Sequence, residues 1–265
     1  MKALKKTLVA VAATAMLSIG SIAHAGVVID LFDGPAQSVV TSTLGATVNN
    51  QSAANANVVG LYRDLSITKT FDNVGTVNTG ESSLASGGGV LQLDNATGNE
   101  SLGVITWDGI NDAGAAGALV DTTGLGGLDL TFGGANALLA SIVAADLGFD
   151  YKIRVWDMAG NVSTLSAAVQ FPVQPGDGVS ADYQFSWFNL ADGFYDIAGL
   201  QFTIAKTGII DFSEIGALQL ELSNADTISV DLAIGAIQTI PEPGTLALVG
   251  AALFGVAAVG RRRKA

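Results

Sequence analysis

Lys152, Arg154 and Trp156 stand on alternate positions of the stretch FDYKIRVWD. In an extended chain alternate residues share a face. An indole beside a guanidinium on an open face is chemistry suited to sugars. The ring stacks on a sugar face and the cation pairs with an acidic one. An ordinary solvated strand face, its tryptophan covered by a loop, has the same pattern. A second candidate is WDGINDAG, where Asp108, Asn111 and Asp112 offer the oxygen ligands that calcium takes, and LDNATGNES (Asp94, Asn95, Asn99, Glu100) is of the same kind. The spacing fits neither an EF-hand nor a nonapeptide repeat, and acidic turn residues explain both stretches equally well. Trp107 and the trio Tyr183, Phe185 and Trp187 could line a groove, although aromatics at strand spacing more often form core.

Other chemistry is excluded by composition. His24 is the only histidine, and there is no cysteine. Residues 1–25, MKALKKTLVAVAATAMLSIGSIAHA, place Lys2, Lys5 and Lys6 before an apolar run. They end on the small-x-small site formed by Ala23 and Ala25. This is the pattern of a secretory signal peptide, which implies signal peptidase and the secretion machinery as partners. Its removal takes His24 with it. A mature chain from Gly26 then has no Ser-His-Asp triad, no thiol chemistry and no His- or Cys-based metal site. Carboxylate pairs remain, and these suffice for glycoside hydrolysis. With 24 acidic residues, however, proximity of two acids says little by itself.

The remaining charge is lopsided. Of 12 Lys and Arg, only Arg63, Lys69, Lys152, Arg154 and Lys206 lie between the signal and the tail. Such an acidic body repels nucleic acid and anionic headgroups, so no nucleic-acid partner is expected.

The tail reads PEPGTLALVGAALFGVAAVGRRRKA. Pro241, Glu242 and Pro243 precede an uncharged run over 244–260, and Arg261, Arg262, Arg263 and Lys264 follow directly. The run sits near the practical floor of about 17 residues for a membrane helix. The basic cluster marks the cytoplasmic side and acts as a stop, in agreement with the orientation set by the signal. A marginal span beside a proline motif suits a transient anchor, removed by processing.

These residues resemble the PEP-CTERM sorting signal, with motif, apolar helix and basic end in order over residues 240–265. The sorting motif is Pro241, Glu242 and Pro243, with Gly244 opening the helix. What the resemblance implies is a Gram-negative setting and an exosortase as processing partner. The chain would be held in the membrane by the C-terminal helix until processed, then delivered to the cell envelope or the extracellular matrix.

The intervening residues 26–239 read as one domain. GGVLQLD, FDYKIRVWD, DYQFSWFN and IGALQLEL alternate with period two between glycine- and aspartate-rich turns. The Ala/Leu-rich stretch 134–148 reads as a strand leading to a turn. VNNQSAANAN (48–57) and PVQPGDGVSAD (172–182) read as loops. The expected fold is all-β, a single antiparallel β-sandwich flanked by an N-terminal signal helix and a C-terminal transmembrane helix. VVIDLFDGPAQSV, VVGLYRDLSI and DFSEIGALQLELSNADTISVDLAIGAIQT resemble exported PEP-CTERM bodies of jelly-roll type, and their layout is similar to that of carbohydrate-binding modules. The expected role is a non-enzymatic surface or matrix protein associated with exopolysaccharide. The alternatives are a carbohydrate-binding module on the cell surface and a carboxylate-dependent glycosidase. No cofactor is expected beyond the calcium candidates.

Overall fold

The computed structural model describes residues 26–72, 80–111, 120–169, 181–186, 193–197, 200–223 and 229–241. The signal, residues 1–25, and the tail beyond Pro241 lie outside the described residues, as do Asp112 and Trp187. Among the described residues no helix is long and apolar enough to cross a membrane.

Alternating sequence gives strands, and the strands pair into two antiparallel sheets. Sheet A contains β1 (Val28–Asp30), β2 (Gln37–Thr41), β5 (Ser82–Gly87), β6 (Val90–Asn95), β8 (Ala135–Ala145), β11 (Ala181–Ser186) and β15 (Leu232–Pro241). Its order is β11-β8-β15-β6-β5-β2, with β1 added against β15. Sheet B contains β3 (Thr47–Gln51), β4 (Asp64–Asp72), β7 (Asn99–Trp107), β9 (Phe149–Asp157), β10 (Val162–Val169), β12 (Gly193–Ile197), β13 (Leu200–Thr207) and β14 (Ile215–Ser223). Its order is β12-β13-β10-β9-β14-β7-β4-β3.

The two apolar faces close on one core. On sheet B the buried rows run from Leu65 and Ile67 through Ile105 to Leu218, Leu220, Ile153 and Val155. On sheet A they run from Val39 through Leu84, Leu93 and Leu232. Gly103 of β7 shows why the sheets interlock. A Cβ there would stand 3.3 Å from the methyls of Leu84 and Leu93 of the other sheet. The glycine leaves room for two leucines, as close packing requires.

Stretch 134–148 forms β8 over Ala135–Ala145, as its apolar content suggests. Stretch 48–57 departs from the loop reading, because Thr47–Gln51 is strand β3. β3 is the edge of sheet B, its residues are mostly exposed, and it gains its ladder from β4. An edge strand facing solvent needs no apolar alternation, so polarity hides it. Of the second predicted loop, 172–180 lies outside the described residues and Ala181 opens β11.

One end of the sandwich is tied by a segment running past Leu125, Leu128 and Leu130. These residues donate to carbonyls of Gly216, Ile215 and Phe212 at 2.8–2.9 Å. Asp121, Asp129 and Asp211 each close a turn by accepting the N–H and hydroxyl of the residue two places on, Thr123, Thr131 and Ser213. These bonds hold the Asp121 and Asp211 carboxyls below the usual range.

Candidate functional site

The outward face of β9 brings Lys152, Arg154 and Trp156 together as the alternation predicts. Phe149, Tyr151, Ile153 and Val155 point into the core. The cations are already engaged: Lys152 Nζ lies 3.1 Å from Glu221 Oε2, and Arg154 pairs with the same carboxylate. Arg154 Nη1 also donates to Gln219 Oε1 at 3.0 Å, and Gln219 Nε2 to Thr106 Oγ1 at 3.1 Å. This is a cross-strand polar ladder over β9, β14 and β7. Gln219 is buried beneath this ladder at 2% exposure, while the Lys152 and Arg154 side chains stay 39% and 30% exposed. Trp156 is half-buried at the far end of the row, opposite Val162 of β10 and Ala217 of β14.

Of the calcium candidates Asp108, Asn111 and Asp112, the first two are described. Asp108 is buried, and its oxygens accept the N–H groups of Ile110 at 3.2 Å and Asp121 at 3.1 Å. Asn111 is exposed, and Asp112 lies outside the described residues. Among the described residues no group of three or more His, Cys, Asp or Glu is arranged to hold a metal ion.

The carboxylates that do lie close hold turns. Asp157 accepts from Ala159 N at 3.0 Å, Asn161 N at 2.9 Å and Asp211 N at 3.3 Å. Burial works to raise its pKa, but these donors and the Asn161 amide keep it below the usual range. Asp94 is raised by desolvation and by the charge of Asp231, against a hydrogen bond from Ser83. Asp231 itself accepts Asn95 N at 3.0 Å, and its own N–H donates to Asp146 at 2.7 Å.

Trp107 is 2% exposed and lines no groove. Tyr183 and Phe185 stand at register positions opposite buried Ala140 and Leu138.

Sequence reasoning missed a buried polar site built on an ion pair. Asp30 and Arg63 are almost fully enclosed. Arg63 Nη1 donates to both Asp30 oxygens at 2.7 Å. Trp107 Nε1 donates to Asp30 Oδ2 at 2.9 Å, and Phe32 N to Oδ1 at 2.7 Å. Arg63 Nε reaches Gln37 Oε1 at 3.1 Å, and the guanidinium lies 5.5 Å from the Phe32 ring centroid. Desolvation pushes the Asp30 carboxyl up, against the Arg63 charge and the hydrogen bonds from Trp107, Phe32 and Arg63. The network fastens the last residue of β1 to the residue before β4 and to the end of β7. The one signal available was Arg63 itself, a scarce cation within VVGLYRDLSI.

The motif end of the chain grows out of the core. β15 has β8 along one edge, while β6 and then β1 share the other. Thr239 is 1% exposed; its N–H donates to Val27 O at 2.8 Å, and its Oγ1 accepts Val27 N–H at 2.7 Å. The ladder with β8 continues through Ile240 opposite Ala137 to Pro241 opposite Ala135. Pro241 of the motif is thus the last residue of a strand. The rest of the motif, Glu242, Pro243 and Gly244, the stop residues Arg261 to Lys264, and the signal site at Ala23 and Ala25 lie outside the described residues.

Residues 239–264 match the PEP-CTERM protein-sorting motif. The match implies export, a C-terminal membrane anchor and cleavage by an exosortase. No curated protein matches the chain in sequence. Among solved structures the chain is similar to an exo-β-agarase, at 15% identity over 67% of this chain and 22% of that one, with a TM-score of 0.35. The chain therefore spans about a fifth of the agarase's length. It is also similar to a family 11 carbohydrate-binding module from Clostridium thermocellum, solved with a β-1,3-1,4-mixed-linked tetrasaccharide. That likeness has 9% identity over 82% of this chain and 96% of that one, with a TM-score of 0.31. A third likeness is to a tailspike protein of bacteriophage CBA120, at 10% identity over 75% and 20% of the two chains, with a TM-score of 0.22.

Proposed function

We propose that the protein is an exported surface or matrix component, a single jelly-roll-like β-sandwich delivered through its tail, processed by an exosortase and associated with exopolysaccharide. Its role is non-enzymatic; the chemistry is done to it. The observation that carries this reading is the sorting-motif match over residues 239–264, in which Pro-Glu-Pro, an apolar run and a basic cluster occur in order. The acidic body supports it, because such a surface stays soluble in a matrix and clear of anionic membrane.

The test is the intact mass of the protein from its native host, beside a Glu242→Ala chain. A wild-type product starting at Gly26 and lacking the basic tail, with the variant retaining it, is the expected result. A wild-type protein that keeps Arg261 to Lys264 in the membrane overturns the reading.

A second reading, a carbohydrate-binding module, draws on Trp156, which is half-buried beside Val162, itself 41% exposed. It predicts binding to the producer's own polysaccharide that Trp156→Ala abolishes. Pairing of Lys152 and Arg154 with Glu221 leaves stacking, rather than charge, as the contact such a site would use.

A further inference from the structure

The sorting segment begins inside the fold. The motif match starts at Thr239, and Thr239 is flanked on both edges: it stands opposite Leu138 in the ladder with β8 and is tied to Val27 ahead of β1 by two hydrogen bonds. An enzyme that takes an extended segment pairs with its main chain, and this needs a free strand edge. Residues 239–241 have none to offer along β8. The second edge at Thr239 is taken by the start of the body.

That start is fitted closely. A Cβ on Gly26 would fall 1.6 Å from the Thr239 carbonyl oxygen, so only glycine brings the chain in at this distance. Gly26 is also the first residue after the expected signal cut. β1 and β15 are antiparallel. The chain therefore enters at Gly26 and leaves at Pro241 from one end of the same strand pair. Four residues past Gly26, Asp30 fixes this segment through Arg63 and Trp107.

We infer that the segment from Gly26 through β1 is a latch on the lead-in to the sorting motif, and that C-terminal processing runs at the rate at which the last residues of β15 come free of it and of β8. This rests on the proposed reading of the tail as an exosortase substrate. Ends of strands open locally at a small fraction of the cost of global unfolding, so the latch slows cutting without forbidding it. It also joins the two processing events, since the latch closes at the residue the first cut exposes.

The experiment follows loss of the tail by pulse labelling of full-length chains in an exosortase-bearing host. A Gly-Ser insertion of about eight residues between Ile240 and Pro241 leaves β1 and β15 paired and keeps the motif at its distance from the apolar run. It is expected to be processed about tenfold faster than wild type, the factor that one hydrogen bond's net worth supplies. Equal or slower processing overturns the latch. Thr239→Val keeps a strand-forming residue and removes the acceptor for Val27 N–H. It is expected to fall between wild type and the insertion, and a rate no faster than wild type overturns the part assigned to Val27. Adding Glu242→Ala to the insertion is expected to stop processing. Cutting that persists means the insertion itself is being cleaved, and overturns the inference. If wild type is never processed while the chain is exported and folded, the proposed function fails, and the latch falls with it.

Discussion

Arg63 and Arg154 show how far a residue's type tells its use. Both are cations in strand-like sequence, and the alternation around Arg154 correctly turns it outward. What the alternation could not show is that Glu221, 67 positions away in the chain, neutralises it together with Lys152. Arg63 is turned inward and held by Asp30, a pairing across 33 residues that no local pattern encodes. Removing one partner of such a buried pair is costly, while the intact pair contributes less than its distances suggest. At the surface the balance differs. Asp94 is raised by desolvation and by Asp231, so its ionised form is disfavoured in the fold. A carboxyl raised in the folded state weakens the fold above its folded pKa and ceases to do so as pH falls towards its unfolded value. Asp94→Asn is therefore expected to raise the thermal midpoint slightly at pH 7. Measured by calorimetry across pH, the gain should shrink as the solution is acidified through the raised pKa. A gain that grows on acidification contradicts the assignment.

At the scale of elements the sequence was readable where one face is buried and one is not. β9 carries its buried row on alternate residues and was legible for that reason; β14 is buried on both faces from Ile215 to Leu220 and was legible because Gln219 and Glu221 still alternate with leucines in the sequence. β3 was not, because an exposed edge strand carries no apolar signal. Nor could the sequence tell which strands become neighbours. The contact of β1 with β15 spans almost the whole body, and the sorting motif, plain as a string of residues, gave no hint that its first proline closes a ladder. Close approaches are equally silent. Gly216, at the start of β14, has the Thr122 carbonyl oxygen 1.7 Å from where a Cβ would sit. Gly216→Ala must push the 120–131 segment off the sheet, and is expected to cost about 1–3 kcal/mol in urea unfolding. A loss within experimental error would show that the segment yields freely.

For the molecule as a whole, β15 decides whether sheet A exists. It stands between β6 and β8, so without it the sheet divides into β2-β5-β6 on one side and β8-β11 on the other. A chain ending at Pro241 is expected to unfold in one cooperative step in denaturant, and one ending at Asp231 to lose that transition. Two similar transitions would mean the keystone role is wrong. The placement has a temporal side. A chain exported amino end first delivers its strands in order, and the strand that joins the halves of sheet A comes after every other described one. Until it has crossed, the edges of β6 and β8 that pair with it stand open. On the proposed reading of the tail, the anchor follows within a few residues. If the tail acts as the proposed stop, completion of the fold and arrest of transport fall within the same few residues, and the chain spends its passage with sheet A unfinished.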